Sequence, residues 1–295
     1  MPRIVRIAAA AYPFDWFDDL AAYEAKLERW VAEAADCDLL VFPEYGAMEL
    51  ASLGGAAVAG DLERSLREVA RHATARDGLH ASLAARHACH ILAASGPAFD
   101  APDRRPVNRA VLFGPEGRIG HQDKQIMTRF EREEWNVAGA PGLQVFDTPV
   151  GRLGITICYD SEFPLLARQM AAAGAEIILA PSCTDSVAGF TRVRIGAMAR
   201  ALEGQCVVVH APTVGTCDWN PAIDENRGRA AIYAPPDGLW PESGIVAEGE
   251  MDAPGWVKAA IDLDRVAESR ADGRVLPFAH WPESDGLPEP VVVRG

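Results

Sequence analysis

Residues 153–164 read LGITICYDSEFP, and this stretch determines the fold class that the sequence predicts. Its aliphatic residues alternate with Gly154 and Thr156, and a period of two is typical of a β-strand. Pro164 fits the first position of a helix, where a missing N–H removes no helical hydrogen bond. The stretch therefore predicts a strand, a short connection that carries Cys158, and a helix.

The same alternation of strands and helices extends through most of the chain and predicts an α/β architecture. Apolar stripes at helical spacing predict two further helices, one behind Asp18 and Asp19 and one capped by Asp61. The apolar runs that predict strands cover residues 4–10, 39–42, 90–95, 109–114, 152–157, 176–180, 206–211, 228–233 and 257–262.

The sequence contains no repeat and no convincing linker, so a single domain is predicted over residues 1–295, with 271–295 as a C-terminal tail. Residues 212–256 show little periodicity and are rich in Gly, Pro, Asp and Trp. Structureless loops of this length are rare inside compact domains. Part of this region is therefore expected to pack against the body of the domain.

Composition and charge restrict the classes of partner. The chain has 28 Lys and Arg against 42 Asp and Glu, a formal charge of -14, which disfavours nucleic acid and anionic membranes. No apolar run approaches the roughly 18 residues of a membrane span. The six cysteines are scattered without a CxxC pair, as free thiols in a reducing compartment would be. The interpretation is a cytoplasmic protein.

Three reactive side chains follow predicted strands closely. Glu44 comes directly after residues 39–43, Cys158 comes directly after the strand at 152–157, and Lys124 lies beyond the strand at 109–114. Strand ends in α/β folds are where catalytic groups collect. Each residue alone is more often a solvated loop group or a packing residue. Together, a carboxylate base, an ammonium group and a thiol supply the groups that acyl transfer needs.

Six short motifs follow one another along the chain. They are Phe42-Pro43-Glu44, Asp123-Lys124-Gln125, residues 157–164, Pro181-Ser182-Cys183-Thr184, residues 197–203 and Ile261-Asp262-Leu263. In these motifs the chain resembles a known family, the nitrilase superfamily of carbon–nitrogen hydrolases. The resemblance covers nearly the whole chain, from Ile4 to about Arg270, and the motif around the cysteine is its most specific part.

The resemblance implies a four-layer α-β-β-α sandwich, with two six-stranded sheets face to face and helices outside. It also implies a catalytic triad in which Glu44 is the general base, Lys124 stabilises the oxyanion and Cys158 is the nucleophile. No metal and no organic cofactor are implied. The expected reaction is hydrolysis of a small amide or N-carbamoyl compound through a thioester. Either Glu44 takes the thiol proton, or a thiolate already exists beside Lys124.

Many family members carry a second glutamate between the lysine and the cysteine. The candidates are Glu131, Glu133 and Glu134; spacing from Lys124 favours Glu131, whereas spacing from Trp135 favours the other two. We choose Glu131. The residues expected to form the walls of the substrate pocket are Tyr45, Trp135, Tyr159 and Glu162.

Glu162 occupies a position where many members of the family have arginine. This substitution favours a cationic or neutral substrate, unless Glu162 pairs with an arginine such as Arg168. Family members usually pair through two helices, here at about 164–173 and 188–203. The residues Val291-Val292-Val293 add an apolar segment that reaches towards a partner. We therefore expect a homodimer or a larger oligomer with an even number of subunits.

Several alternatives remain. Nitrile hydrolysers usually carry Cys-Trp-Glu, whereas this chain has Cys158-Tyr159-Asp160, which favours amides over nitriles. A catalytically silent protein and a thiol-redox protein are rivals from other classes. A metal site at residues 86–90 with His80 is disfavoured, because the segment runs from a helix end into a strand and its ligands would diverge.

Overall fold

The computed structural model describes residues 2–295, in which strands and helices alternate over most of the length. The strands are β1 Ile4–Pro13, β2 Leu39–Val41, β3 His90–Leu92, β4 Gly96–Ala98, β5 Val107–Gly114, β6 Gly117–Asp123, β7 Val145–Thr148, β8 Gly151–Ile155, β9 Ile177–Ser182, β10 Val207–Thr216, β11 Glu225–Asn226, β12 Ala231–Tyr233, β13 Ile245–Glu248 and β14 Gly255–Asp262.

The helices lie between and after these strands. They are α1 Leu20–Glu33, α2 Ala56–Ala59, α3 Leu62–Arg71, α4 Ala73–His87, α5 Arg129–Glu133, α6 Pro164–Ala172, α7 Val187–Gly204, α8 Asp264–Asp272 and α9 Pro277–His280, with short 3₁₀ segments at Gly46–Gly54, Cys158–Glu162 and Trp281–Ser284. Within residues 2–295, no helix combines the length and the apolar composition that crossing a membrane requires.

The predicted helix starts are confirmed by their capping contacts. The Asp19 carboxylate accepts a hydrogen bond from the backbone N–H of Ala22 at the start of α1, at 2.9 Å. Asp61 accepts one from the N–H of Arg64 at the start of α3, at 2.8 Å. Pro164 lies in the first turn of α6. These contacts satisfy N–H groups that would otherwise have no partner.

The first sheet is built around β1, which pairs parallel with β2 and antiparallel with β14. β2 pairs with β3, and β5 pairs with β3, β4 and β6. A strand has only two edges. In β5, Arg109 pairs with both β4 and β6, and Leu112 pairs with both β3 and β6, so β3 and β4 share one edge and β6 takes the other. β3 and β4 are therefore two parts of one interrupted strand, and the sheet is six strands wide.

The second sheet has the order β7-β8-β9-β10-β12-β13. Its β8, β9 and β10 are parallel, as expected for strands that are joined by α6 and α7. The two sheets meet along β1 and β10, where Tyr12 is aligned with Thr213 in a short parallel pairing. Each sheet is thus six strands wide, in agreement with the sequence-based expectation.

An apolar core between the two sheets shows that they pack face to face. It combines Ile7 and Leu39 of the first sheet with Ile155, Ile177 and Val209 of the second, and all five are almost fully buried. Burial of this much aliphatic surface is the main stabilising contribution to such a sandwich.

Two outer cores hold the helices against the sheets. Leu27 of α1 and Leu66 of α3 belong to the core outside the first sheet. Met170 of α6 and Ala197 of α7 pack outside the second sheet against Val208, whose neighbour in sequence faces the inner core. The period of two along β10 thus separates two layers. The predicted four-layer α-β-β-α sandwich is confirmed.

Some strands were missed by the apolar patterns. β6, with the sequence GRIGHQD, is polar and half exposed, so neither alternation nor an apolar run marks it. Lys124 follows β6 directly, not the earlier strand β5. The region 212–256 contains the end of β10 together with β11, β12 and β13, and it packs on the domain as expected.

The C-terminal tail begins with ordered structure. The Arg168 guanidinium of α6 lies over the rings of Phe278 and Trp281, at 4.9 and 5.1 Å from their centroids. The backbone N–H of Phe278 also donates to the side chain of Gln205 at 3.2 Å. The first part of the tail is thus fixed to the domain, whereas Val291, Val292 and Val293 are exposed.

Candidate active site

Four loops at strand ends bring the candidate residues together. Glu44 lies three residues after β2, Lys124 directly follows β6, Cys158 lies three residues after β8, and Cys183 directly follows β9. The sandwich places these loops at one edge, because the C-terminal ends of β2, β6, β8 and β9 all lie at that edge. The reactive groups predicted from separate parts of the sequence thus meet at one site.

Lys124 is the centre of this cluster. Its ammonium donates to Glu44 Oε1 at 2.7 Å and to both carboxylate oxygens of Glu131, at 2.7 and 2.9 Å. Glu44 and Lys124 are each 1% exposed and Glu131 is 3% exposed. Glu133 and Glu134 are exposed, and Glu133 instead pairs with Arg129 at 2.8 Å. The structure therefore brings Glu131, and not the two alternatives, to the lysine.

Charge balance determines the protonation of the cluster. Burial raises the pKa of Glu44 to about 7, although the charge of Lys124 acts in the opposite direction. Burial also acts to raise the pKa of Glu131, but the charge and hydrogen bond of Lys124 outweigh it and hold the pKa below its ordinary value. Burial acts to lower the pKa of Lys124, yet the two carboxylates hold it well above its ordinary value. Lys124 therefore remains charged.

Glu44 has further partners that the sequence analysis did not name. Its Oε1 accepts a second hydrogen bond from Asn108 Nδ2 at 3.0 Å, and its Oε2 accepts one from the backbone N–H of Cys183 at 2.9 Å. Asn108 lies in β5 and is fully buried. An amide side chain in a strand that is mostly apolar was the signal that could have identified it.

Cys158 is 4% exposed and has a backbone φ of 50°, in the left-handed region that side chains other than glycine rarely adopt. Strained conformations of this kind cluster at functional sites. The thiol donates weakly to the carbonyl of Cys183 at 3.8 Å. Burial, followed by the negative charge of Glu44, raises the pKa of the Cys158 thiol well above its ordinary value. A raised pKa favours the protonated thiol over the thiolate.

Asp160 connects the loop that carries Cys158 to the segment after Lys124. Its buried carboxylate accepts hydrogen bonds from the backbone N–H groups of Gln125 at 3.1 Å, Ile126 at 2.9 Å and Ile157 at 3.3 Å. Hydrogen bonds to a carboxylate are stronger than those between neutral groups. This side chain therefore helps to hold Lys124 and Cys158 in their relative position.

A cavity of about 500 Å³ opens onto Cys158. Tyr159 and Glu162 line it, as expected, whereas Tyr45 and Trp135 do not. The Tyr45 hydroxyl donates to Glu131 Oε1 at 2.8 Å, and the rings of Tyr45 and Trp135 pack together with centroids 4.6 Å apart. These two aromatic residues lie on the far side of Glu131, where the Tyr45 hydroxyl contacts the carboxylate. The expectation that they form pocket walls is wrong.

The mouth of the cavity carries more negative than positive charge. Glu162 pairs with Arg192 at 3.6 Å, not with Arg168, which stacks on the tail. The charged residues that line the cavity are Glu162, Asp185, Asp224, Glu225, Arg129 and Arg192. Glu162 neutralises one of the two arginines, and Glu133 pairs with the other.

The histidines considered for a metal site lie away from the cavity, and the cysteines considered for redox chemistry are shielded by burial. The His80 ring contacts the carbonyl of Arg76 at 2.8 Å and stacks on Phe113, and His90 lies in β3. Within residues 2–295, no group of three or more metal-ligating side chains occurs. All six cysteines are free, and burial raises the pKa of each thiol. Raised thiol pKa values disfavour general redox reactivity.

Comparison with known proteins identifies the family. A family model described as carbon–nitrogen hydrolase matches residues 6–271. The chain belongs to the carbon–nitrogen hydrolase family. This carbon–nitrogen hydrolase is 32% identical over 277 residues to the probable hydrolase YhcX of Bacillus subtilis (strain 168), a match covering 92% of this chain and 52% of YhcX.

Two further matches agree with this assignment. The chain is 46% identical over 92 residues to the deaminated glutathione amidase of Yersinia enterocolitica, which is 31% of this chain and 32% of that protein. The chain thus spans about half the length of YhcX, and a third of the amidase is matched. The crystal structure of Saccharomyces cerevisiae Nit3, a member of branch 10 of the nitrilase superfamily, superposes with a TM-score of 0.69 at 21% identity, covering 91% of this chain and 93% of Nit3. The superfamily resemblance is confirmed.

Proposed function

We propose that this protein hydrolyses a non-peptide carbon–nitrogen bond in a small amide or N-carbamoyl compound, with Cys158 as nucleophile. The observation that carries the proposal is the buried cluster of Glu44, Lys124 and Glu131 next to Cys158, which itself lines a cavity of about 500 Å³. A base, a cation and a thiol in this arrangement supply the groups for acyl transfer.

In the first half-reaction, Glu44 accepts the proton of the Cys158 thiol while the sulfur attacks the carbonyl carbon. The developing oxyanion is held by Lys124 and by the backbone N–H of Tyr159. The three N–H groups of the Lys124 ammonium contact Glu44 and both oxygens of Glu131, so one of the two contacts with Glu131 is exchanged for the substrate oxygen in this step. Glu44 then gives its proton to the departing ammonia or amine, and a thioester remains on the sulfur.

In the second half-reaction, Glu44 takes a proton from water and the hydroxide adds to the thioester carbonyl. The same oxyanion donors stabilise the second tetrahedral intermediate. Its collapse releases the acid and returns the proton to the sulfur through Glu44. Glu131 takes no proton in this scheme, because its role is to hold the Lys124 ammonium in place and to keep it charged.

The experiment that tests this function is mass spectrometry of the intact protein after rapid quenching with a library of small amides and carbamoyl compounds. We expect a mass increase equal to an acyl group, located on the peptide that contains Cys158. The Cys158→Ser variant, whose ester turns over more slowly, is expected to accumulate the acyl form. An acyl adduct on any other residue, or product formation without one in either protein, would contradict the proposal.

The charges at the cavity mouth narrow the substrate class. The cavity has four acidic residues and two arginines in its lining, and Glu162 already neutralises Arg192. An anionic substrate would meet unpaired carboxylates near the entrance, which costs binding energy. We therefore propose that the part of the substrate remote from the amide is neutral or cationic.

Amides are expected to be better substrates than nitriles. The nucleophile loop carries Tyr159 and Asp160, and one of the matched relatives is a deaminated glutathione amidase. Hydrolysis of an amide expels an amine that needs a proton, which Glu44 is placed to supply. On matched pairs of short aliphatic amides and nitriles, kcat/KM should be higher for the amide. A consistently higher value for the nitrile would overturn the amidase assignment but not the fold.

We propose that the protein forms a homodimer or a larger oligomer with an even number of subunits through α6 and α7. These helices expose Leu165, Val187, Ile195 and Leu202, although a helix on the surface of a monomer usually exposes polar residues. Light scattering at micromolar concentration should give at least twice the chain mass of 31.7 kDa. Replacing Leu165 and Ile195 by glutamate should lower the mass to that of one chain; a monomeric wild-type protein would refute the proposal.

A further inference from the structure

A chain of buried hydrogen bonds reaches Glu44 from the start of the segment that follows it. The backbone N–H of Tyr45 donates to Ser95 Oγ at 3.0 Å, and the Ser95 hydroxyl donates to Asn108 Oδ1 at 2.6 Å. Asn108 Nδ2 then donates to Glu44 Oε1 at 3.0 Å. Ser95 and Asn108 are both fully buried, so water does not compete for these contacts.

The direction of this chain is fixed by chemistry. The backbone N–H of Tyr45 can only donate, so Ser95 Oγ accepts there and uses its single proton for Asn108. Because the Ser95 proton needs an acceptor, the Asn108 atom that it contacts is the amide oxygen. The amide nitrogen of Asn108 therefore faces Glu44. The chain therefore delivers a donor to the carboxylate and offers no acceptor to a protonated Glu44.

The two oxygens of Glu44 are consequently unequal. Oε1 accepts from both Lys124 Nζ and Asn108 Nδ2, which occupies its two lone pairs. Oε2 accepts only from the backbone N–H of Cys183 and keeps one lone pair free. The Cys158 thiol contacts the carbonyl of the same Cys183, so the thiol and Oε2 both contact this one residue, the thiol through its carbonyl and Oε2 through its N–H.

We infer that Asn108 is a positioning residue that occupies Glu44 Oε1 and thereby makes Oε2 the oxygen that exchanges the proton with Cys158. In this step the S–H bond breaks, an O–H bond forms at Oε2, and the electron pair left on sulfur forms the new bond to the substrate carbon. The proton later moves from Oε2 to the leaving amine. The inference rests on the proposed function, in which Glu44 is the base.

A donor to Oε1 also stabilises the charged carboxylate. Burial raises the pKa of Glu44 to about 7, and each hydrogen bond to the charged form acts against that rise. Removal of the Asn108 amide is therefore expected to raise the pKa of Glu44 further. The titratable groups that face Glu44 are Lys124, Glu131, Cys158, Cys183 and Tyr45.

The test uses iodoacetamide, a thiol probe that does not depend on knowing the substrate. The rate of alkylation at Cys158 is measured by peptide mass spectrometry from about pH 5 to 9 for the full-length wild-type protein and for Asn108→Leu. In the wild type, the rate should rise as Glu44 ionises. In Asn108→Leu the midpoint of this rise should move up by about one pH unit, because the hydrogen bond from Asn108 to the charged Glu44 carboxylate is lost. Asn108→Ala serves if the leucine variant does not fold.

The matched control is Gln205→Leu, which removes a buried amide whose donors contact only the carbonyls of Ser269 and Val275. It should keep the wild-type midpoint, because a general loss of packing does not change the ionisation of Glu44. An Asn108 variant that folds and keeps the wild-type midpoint would overturn the inference.

Glu44→Gln separates failure of the inference from failure of the proposed function. In this variant the rise near pH 7 should disappear, because the base is absent. If it disappears while the Asn108 variants match the wild type, only the role of Asn108 is refuted. If Glu44→Gln itself keeps the wild-type profile, Glu44 is not the base and the proposed function fails with the inference.

Discussion

Replacing Cys158 by alanine is expected to lower kcat/KM at least about a thousandfold for every amide that the wild-type protein hydrolyses. No thioester forms without the sulfur, and water would have to attack the amide directly. The free energy of unfolding should change by only about 1 kcal/mol, because the lost group is small and its one hydrogen bond is weak. Steady-state kinetics and thermal unfolding of the same preparation measure both quantities.

Cys183→Ala is the matched control for this variant. Cys183 lines the same cavity, but its contact with Glu44 is made by its backbone N–H, which alanine retains. The activity of Cys183→Ala should stay within about fivefold of the wild type, because the substitution removes only the contact between the thiol and the side chain of Asn226. Residual activity of Cys158→Ala above about one part in a thousand would point to a different nucleophile.

The sequence predicted the parts of the fold that have a clear period. The alternation through Leu153, Ile155 and Ile157 identified the strand before the cysteine, and the caps at Asp19 and Asp61 identified helix starts. These signals are local, because each depends on which face of one element is buried. The four-layer arrangement was inferred from the family motifs, since no local pattern specifies how two sheets stack.

The site could be predicted only where a side chain follows a strand. Spacing alone did not decide among Glu131 and its two neighbours, because a short helix presents each of them in a different direction. In the structure Thr128 caps this helix in a capping box with Glu131, which points Glu131 inwards. Asn108 and Asp160 act through contacts with distant segments. A polar residue in a buried strand marks Asn108 as a candidate, but nothing near either residue in sequence indicates which groups it contacts.

Replacing Lys124 by methionine is expected to lower kcat/KM at least about a thousandfold. It should also lower the free energy of unfolding by about 3–5 kcal/mol. The substitution leaves Glu44 and Glu131 buried without their cation. Two such carboxylates cannot both remain charged, so the site takes up a proton and Glu44 can no longer act as base near neutral pH. Chemical denaturation and kinetics with an identified amide measure the two effects.

The double variant Lys124→Met with Glu131→Gln tests the electrostatic part of this argument. Neutralising Glu131 removes one of the two stranded charges, so part of the stability should return. Activity should not return, because neither methionine nor glutamine places a cation at the oxyanion. Recovery of activity in the double variant would show that Lys124 only neutralises charge and has no part in the reaction.

Lys26 provides the control that separates stability from chemistry. It is also 1% exposed, and its ammonium contacts Glu49, Asp15 at 2.9 Å and the carbonyl of Pro13 at 2.6 Å, away from the cavity. Lys26→Met likewise strands a buried glutamate, so a similar loss of stability is expected. Where the variant is folded, its kcat/KM should remain within a few fold of the wild type. Equal losses of activity in the two lysine variants would mean that Lys124 acts through folding alone, whereas loss confined to Lys124→Met assigns its charge to the reaction.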